Sequence, residues 1–198
     1  MNNKITAIAA AVAFTLGSAA FADAPNATSD AQRDANQQER IEQGLKSGQL
    51  TTKEASQLER QESKVDRTEA AAMKNGSISP AEQKRITAEQ NKVSSDIYKD
   101  KHNATTGNPN SVSSERMQAD VQRNANQEQR IEQGLKSGQL TTKEAGKLER
   151  GQAHVDKAEA RAGANGHVSA GEQSHIQSAE NRQSHRIHEK KHNARQQG

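Results

Sequence analysis

RIEQGLKSGQLTTKEA runs from Arg40 to Ala55, and the same string returns at Arg130–Ala145. The offset of ninety positions holds beyond the run. Val65-Asp66 matches Val155-Asp156, Asn75-Gly76 matches Asn165-Gly166, and Lys101-His102-Asn103-Ala104 matches Lys191-His192-Asn193-Ala194. The chain is therefore a tandem duplication. Repeat 1 spans 30–104 and repeat 2 spans 120–194. A stretch at 105–119, with Gly107, Asn108, Pro109, Asn110 and several serines, reads as a flexible linker.

The repeated run also contains a helix stop followed by a helix start. Ser47-Gly48 ends one helix, with Gly suited to the left-handed position after it. Thr51 then caps the next helix, Glu54 completes a capping box, and Leu50 sits at the apolar staple position before the cap. Asn75-Gly76, Ile78, Ser79, Pro80 and Glu82 repeat the logic. Repeat 2 keeps it as Thr141/Glu144 and Ser169/Glu172, with Ala170 in place of the proline. Three helices per unit follow, near 30–46, 52–74 and 80–102. Ala55, Leu58, Val65 and Ala72 form an apolar stripe along the middle one, which Glu62 and Glu69 interrupt. The expected fold is all-α: two tandem three-helix units with thin seams, joined by the flexible linker. Self-association would complete such seams.

The first residues read as a secretory signal, 1–22. Lys4 is the charged start, Ile5–Leu16 the apolar run and Ala20-Phe21-Ala22 an A-x-A cleavage pattern. The run is too short to cross a bilayer, so no transmembrane segment is expected in the mature chain. A periplasmic or secreted protein follows. Residues 23–29 read as a disordered N-terminal segment and 195–198 as a tail. Beyond the signal the only aromatic residue is Tyr98, and the chain has no cysteine. Such a chain cannot bury a large apolar core or lock one with disulfides. Its 28 Lys and Arg face 25 Asp and Glu, interspersed, for a net charge of +3. That near balance, without stacking aromatics, argues against nucleic-acid binding.

Two local matches resemble known sites. Gly76, Ile78 and Glu82, like Gly48, Leu50 and Glu54, have the spacing of the second half of an EF-hand loop, which implies calcium. The first half departs: its two leading ligand positions fall on Ala71 and Met73 in one loop and on Gln43 and Leu45 in the other. His188-Glu189-Lys190-Lys191-His192 resembles the H-E-x-x-H motif of zincin metalloproteases, with Glu189 as the implied general base. Only six residues follow it, and repeat 1 has Tyr98-Lys99-Asp100-Lys101-His102 in its place. As a whole the chain is similar to small exported bacterial helical repeat proteins.

Two surfaces are candidates for binding. The duplicated run carries Glu42, Gln43, Lys46 and Lys53, repeated as Glu132, Gln133, Lys136 and Lys143. It reads as a duplicated face for a protein or envelope partner, for a second copy in a homo-oligomer, or for the other repeat. His185, His188 and His192 lie on one helix face and could hold Cu(II), Ni(II) or Zn(II). The sequence has no cysteine nucleophile, G-x-S-x-G elbow or phosphate-binding glycine loop, so no enzyme is expected. Carboxylate pairs such as Glu39/Glu42 read as ordinary helix-surface charges.

Overall fold

The computed structural model describes residues 24–193, so the expected signal at 1–22 and the tail at 195–198 lie outside it. Every element among the described residues is helical: α1 (Ala24–Ser47), α2 (Thr52–Ala72), α3 (Pro80–Lys101), α4 (Val112–Lys136), α5 (Thr142–Ala162) and α6 (Ala170–Lys191). No described helix is long and apolar enough to cross a membrane.

The helix starts follow from their caps. Thr51, Ser79, Thr141 and Ser169 each accept from the backbone N–H three residues on, and the Glu at that position reaches back to the cap. All four boxes stand where the spacing places them. Gly48, at φ 72°, supplies the left-handed turn between α1 and α2, which a side chain would strain.

Two expectations about connections change. Residues 24–29 are the first turns of α1, not a disordered lead-in, because Ala27 and Ala31 are fully buried against repeat 2. Likewise α4 begins at Val112, so the second half of the stretch 105–119 is helix. The remaining connection is docked. Gly107 N–H donates to Gly48 O at 2.8 Å, and the Pro109 carbonyl accepts from Gln118. A Cβ on Gly107 would fall 2.4 Å from Leu50 O, so only glycine lets the connection lie on that turn.

The two units do not stand apart. Helix α1 packs along α4 and α2 along α5, both pairs antiparallel, with α3 and α6 outside. Residues that touch their own copies mark the crossing points. Gln129 donates to Glu39 at 2.5 Å, and Ser63 donates to the Ala153 carbonyl at 2.9 Å. Each pair is ninety positions apart, so both lie on a pseudo-two-fold axis relating the repeats. The thin seams expected from sequence are completed here by the other repeat. One apolar cluster joins Ile41, Leu45 and Leu58 to Met117, Val121 and Ile176. The other joins Met73, Ile78 and Ile86 to Ile131, Leu140 and Leu148.

The copies have diverged in complementary ways. At one end Met73 presses on Gly146, whose added Cβ would meet the Met73 Cβ at 2.6 Å. At the other end the equivalents are Gly163 and Ser56, and Met117, standing where repeat 1 has Ala27, lies over the glycine. Gly163→Met restores the residue of repeat 1 but collides with Met117 and Ser56. The expected cost is about 1–3 kcal/mol in chemical denaturation. Adding Met117→Ala and Ser56→Gly should recover most of it. An undiminished midpoint in the single variant, or no recovery in the triple, would contradict this packing.

Candidate metal centre: a buried layer of carboxylates

Along α2, Glu59, Glu62, Asp66 and Glu69 fall at steps of three, four and three, the same rhythm as the apolar stripe. Helix α5 repeats the pattern as Glu149, Gln152, Asp156 and Glu159. Because α2 lies on α5, both stripes turn inward. They form a polar layer between the two apolar clusters, with Asp34 and Gln38 of α1 and Asn124 and Glu128 of α4 closing it. All of these side chains are at most 2% exposed. Among the described residues fourteen buried side chains are acidic, and none is Lys, Arg or His.

This concentration of acid has direct electrostatic consequences. An ionised carboxylate removed from water costs several kcal/mol unless it is paired. Burial accordingly pushes Asp34 up to about 7, and burial aided by the nearby Asp156 charge pushes Glu59 up to about 8. Burial raises Asp156 to about 6. It also holds Glu62, Asp66, Glu69, Glu128, Glu149 and Glu159 well above the usual carboxylate range, with like charges adding to the effect. Several carboxyls meet head to head: Asp66 with Asp156, Glu59 with Glu159, and Asp34 with Glu69. Such contacts hold only if a proton or a cation lies between the oxygens.

Two groups of ligand atoms converge. Glu59, Asp156 and Glu159 form one triad, and Asp66, Glu128 and Glu149 the other, with oxygens within 4.8 Å of one another in each. The triads share two of their three members by symmetry. Glu149 and Glu59 correspond, as do Asp66 and Asp156, but the third members differ: Glu159 is the copy of Glu69, and Glu128 stands where repeat 1 has Gln38. In the first triad Gln38 donates to Glu59 at 3.0 Å, and Asn124 donates to Asp156 at 2.5 Å. A second feature points to missing positive charge. Both carboxylate oxygens of Glu149 and of Glu62, and the amide oxygens of Gln38 and Gln152, are buried with no hydrogen-bond donor. Unsatisfied acceptors at this depth are uncommon.

The donor set is all oxygen, which suits hard cations such as Ca(II) and Mn(II) rather than Cu(II) or Ni(II). Calcium takes such carboxylate sets in flexible geometry, whereas Mg(II) demands a near-ideal octahedron and gives up its waters reluctantly.

The residues singled out from sequence lie elsewhere. His188 and His192 stack with ring centroids 4.2 Å apart, and the ring of His192 contacts the His188 carbonyl. His185 faces Glu189 at 3.4 Å. The three histidines are exposed and do not form a group whose ligand atoms come within 4.8 Å. Tyr98 and His102 stack at the same place in repeat 1, so the ring pair is a feature of the helix end. In the EF-hand-like turns, Glu54 and Glu82 are committed to the caps at Thr51 and Ser79. The duplicated run is divided. Gln43, Gln133, Lys53 and Lys143 are exposed, but Glu42 is buried and paired with Lys46, whose ammonium also donates to Gln122 of α4 at 3.2 Å. Lys136 and Glu132 are 3.9 Å apart. Much of this run therefore faces the other repeat.

Comparison with family models, with curated proteins and with solved structures finds no match to this chain. The functional reading rests on the site itself.

Proposed function

We propose that this chain is a non-catalytic periplasmic or secreted protein that holds hard multivalent cations in its carboxylate layer, one ion in each triad. The observation that carries the reading is the layer itself: buried acids converge in two triads, with no buried base among the described residues and with acceptor oxygens that lack donors. A pair of cations would supply the missing charge and bind the repeats together across the axis. The full burial of the ligands leaves no substrate path to the ions, which favours binding over turnover. The export reading rests on the signal pattern in residues 1–22.

Calorimetric titration of the metal-free mature chain near neutral pH tests this. About two Mn(II) or Ca(II) ions should bind per chain, with Mg(II) weaker and protons released on binding. Glu59→Gln should remove one ion and leave the other. If no saturable binding of Mn(II) or Ca(II) is seen, the reading fails. It also fails if binding survives the carboxylate changes but disappears with His185, His188 and His192.

A further inference from the structure

A groove of about 540 Å³ opens between α5 and α6, on the outer side of repeat 2. Five basic side chains line it: His154, Lys157 and Arg161 from α5, and His175 and Arg182 from α6. None of the five forms a hydrogen bond or an ion pair with a described residue. The one lining acid, Glu172, is held by its cap, where it accepts from the Ser169 N–H and hydroxyl. A smaller groove beside it shares Lys157 and Arg161 and adds Arg60 and Arg67, so the basic surface continues onto α2.

Repeat 1 serves as an internal control. At the same place it has Lys64, Arg67, Arg85 and Lys92, and acids answer three of the four. Glu89 pairs with Lys64 at 3.1 Å and Arg85 at 3.4 Å, and accepts from Thr68 at 2.8 Å. Asp96 pairs with Lys92. In repeat 2 both acids are gone: Ala179 stands for Glu89 and Arg186 for Asp96. The substitutions remove two negative charges, add one positive charge and vacate the space that the Glu89 side chain fills. They do so in one copy only.

From this we infer that the α5–α6 groove of repeat 2 is a binding site for a small polyanion of the oligophosphate class. Guanidinium groups match phosphate oxygens in forked geometry, and Arg161 and Arg182 provide two of them. The groove volume is in the range of small-ligand sites. Its apolar floor is limited to the side chains around Ile176 and Ala179, and no Phe, Tyr or Trp lines it to stack a base. Recognition therefore falls on the phosphate chain. The inference does not depend on the carboxylate layer, which lies on the opposite face of α5.

The test is calorimetry of the metal-free protein with inorganic tripolyphosphate at low salt, alongside sedimentation with phosphatidic-acid vesicles to distinguish a free ligand from a lipid headgroup. One equivalent should bind, with affinity falling steeply as salt rises. Ala179→Glu, which restores the acid of repeat 1, should weaken binding at least about tenfold while the helical spectrum stays unchanged. Ala71→Arg/Glu89→Ala/Asp96→Arg, which gives repeat 1 the charges of repeat 2, should bring a second equivalent. Binding to vesicles alone, with the same response to Ala179→Glu, would assign the anion to a lipid. The proposal is overturned if neither probe binds, if Ala179→Glu binds like the parent, or if the triple variant of repeat 1 keeps a single equivalent.

Discussion

Raising the pH from about 5 to 8 in the presence of a chelator should lower the thermal midpoint of this protein by about 10–20 °C. The sign follows from carboxyls whose folded-state values lie above their unfolded ones. Such groups bind protons more tightly in the folded chain, so the stability they contribute is fully present below about pH 4. It is lost as pH rises through the folded values, about 6 for Asp156, 7 for Asp34 and 8 for Glu59. Each carboxyl kept protonated only by the fold contributes about 1.4 kcal/mol per pH unit. Two or three net protons retained across part of the window give a loss of about 3–6 kcal/mol, which sets the shift for a chain of this size. Glu82, Glu172 and Asp96 run the other way, since hydrogen bonds from their neighbours hold them low. Their contribution disappears only in acid and is small at exposed sites. Melting curves followed by circular dichroism in matched buffers provide the measurement. A midpoint that is flat or rises over this interval would refute the protonated layer. Adding Mn(II) or Ca(II) at the alkaline end should restore the lost stability.

The double variant Asp66→Asn/Asp156→Asn should separate binding from folding. These two acids meet at the axis, and each belongs to one triad. Asparagine keeps the shape, removes a buried charge and adds an N–H donor among acceptors that lack one. Replacing strained buried charge with a neutral group of similar size is often stabilising. We expect the metal-free variant to gain about 2–4 kcal/mol near pH 8 in urea unfolding, and to lose at least a hundredfold in cation affinity at both sites. A structural hydrogen-bond network would behave in the opposite way, with stability falling and no effect on ions. Loss of stability together with unchanged cation binding would sink the proposed function.

Particular residues show what the sequence makes legible. The capping boxes at Thr51, Ser79, Thr141 and Ser169 are local chemistry, and a string of residues records local chemistry directly. The duplication is equally visible. The pairing of the repeats is not, because a thin apolar stripe is compatible with a partner in the same unit, the other unit or another chain. The carboxylate layer is misread for a related reason. Glu62 and Glu69 interrupt a hydrophobic stripe only if acids are assumed to face water. The usable signal was positional: Glu59, Glu62, Asp66 and Glu69 share the stripe's spacing, and α5 preserves three of the four acids. The histidines are the opposite case. Their identities suit a metal, yet they sit on an outer helix end where nothing brings them to a common point.

The pseudo-two-fold packing also limits how this molecule can grow. Repeat proteins that stack head to tail leave an open end, so another copy of the unit can always be added. Here each copy uses the same face to meet the other, and the arrangement is complete at two. The long identical stretch at Arg40–Ala55 and Arg130–Ala145 invites a third copy by unequal exchange at the DNA level. Such a copy would find no vacant seam, and its inward-facing acids would be left in water. The bulky-against-small fit of Met73 with Gly146 and of Met117 with Gly163 adds handedness to the pair. Each half is now the mould of the other, so two first halves or two second halves could not replace the natural couple.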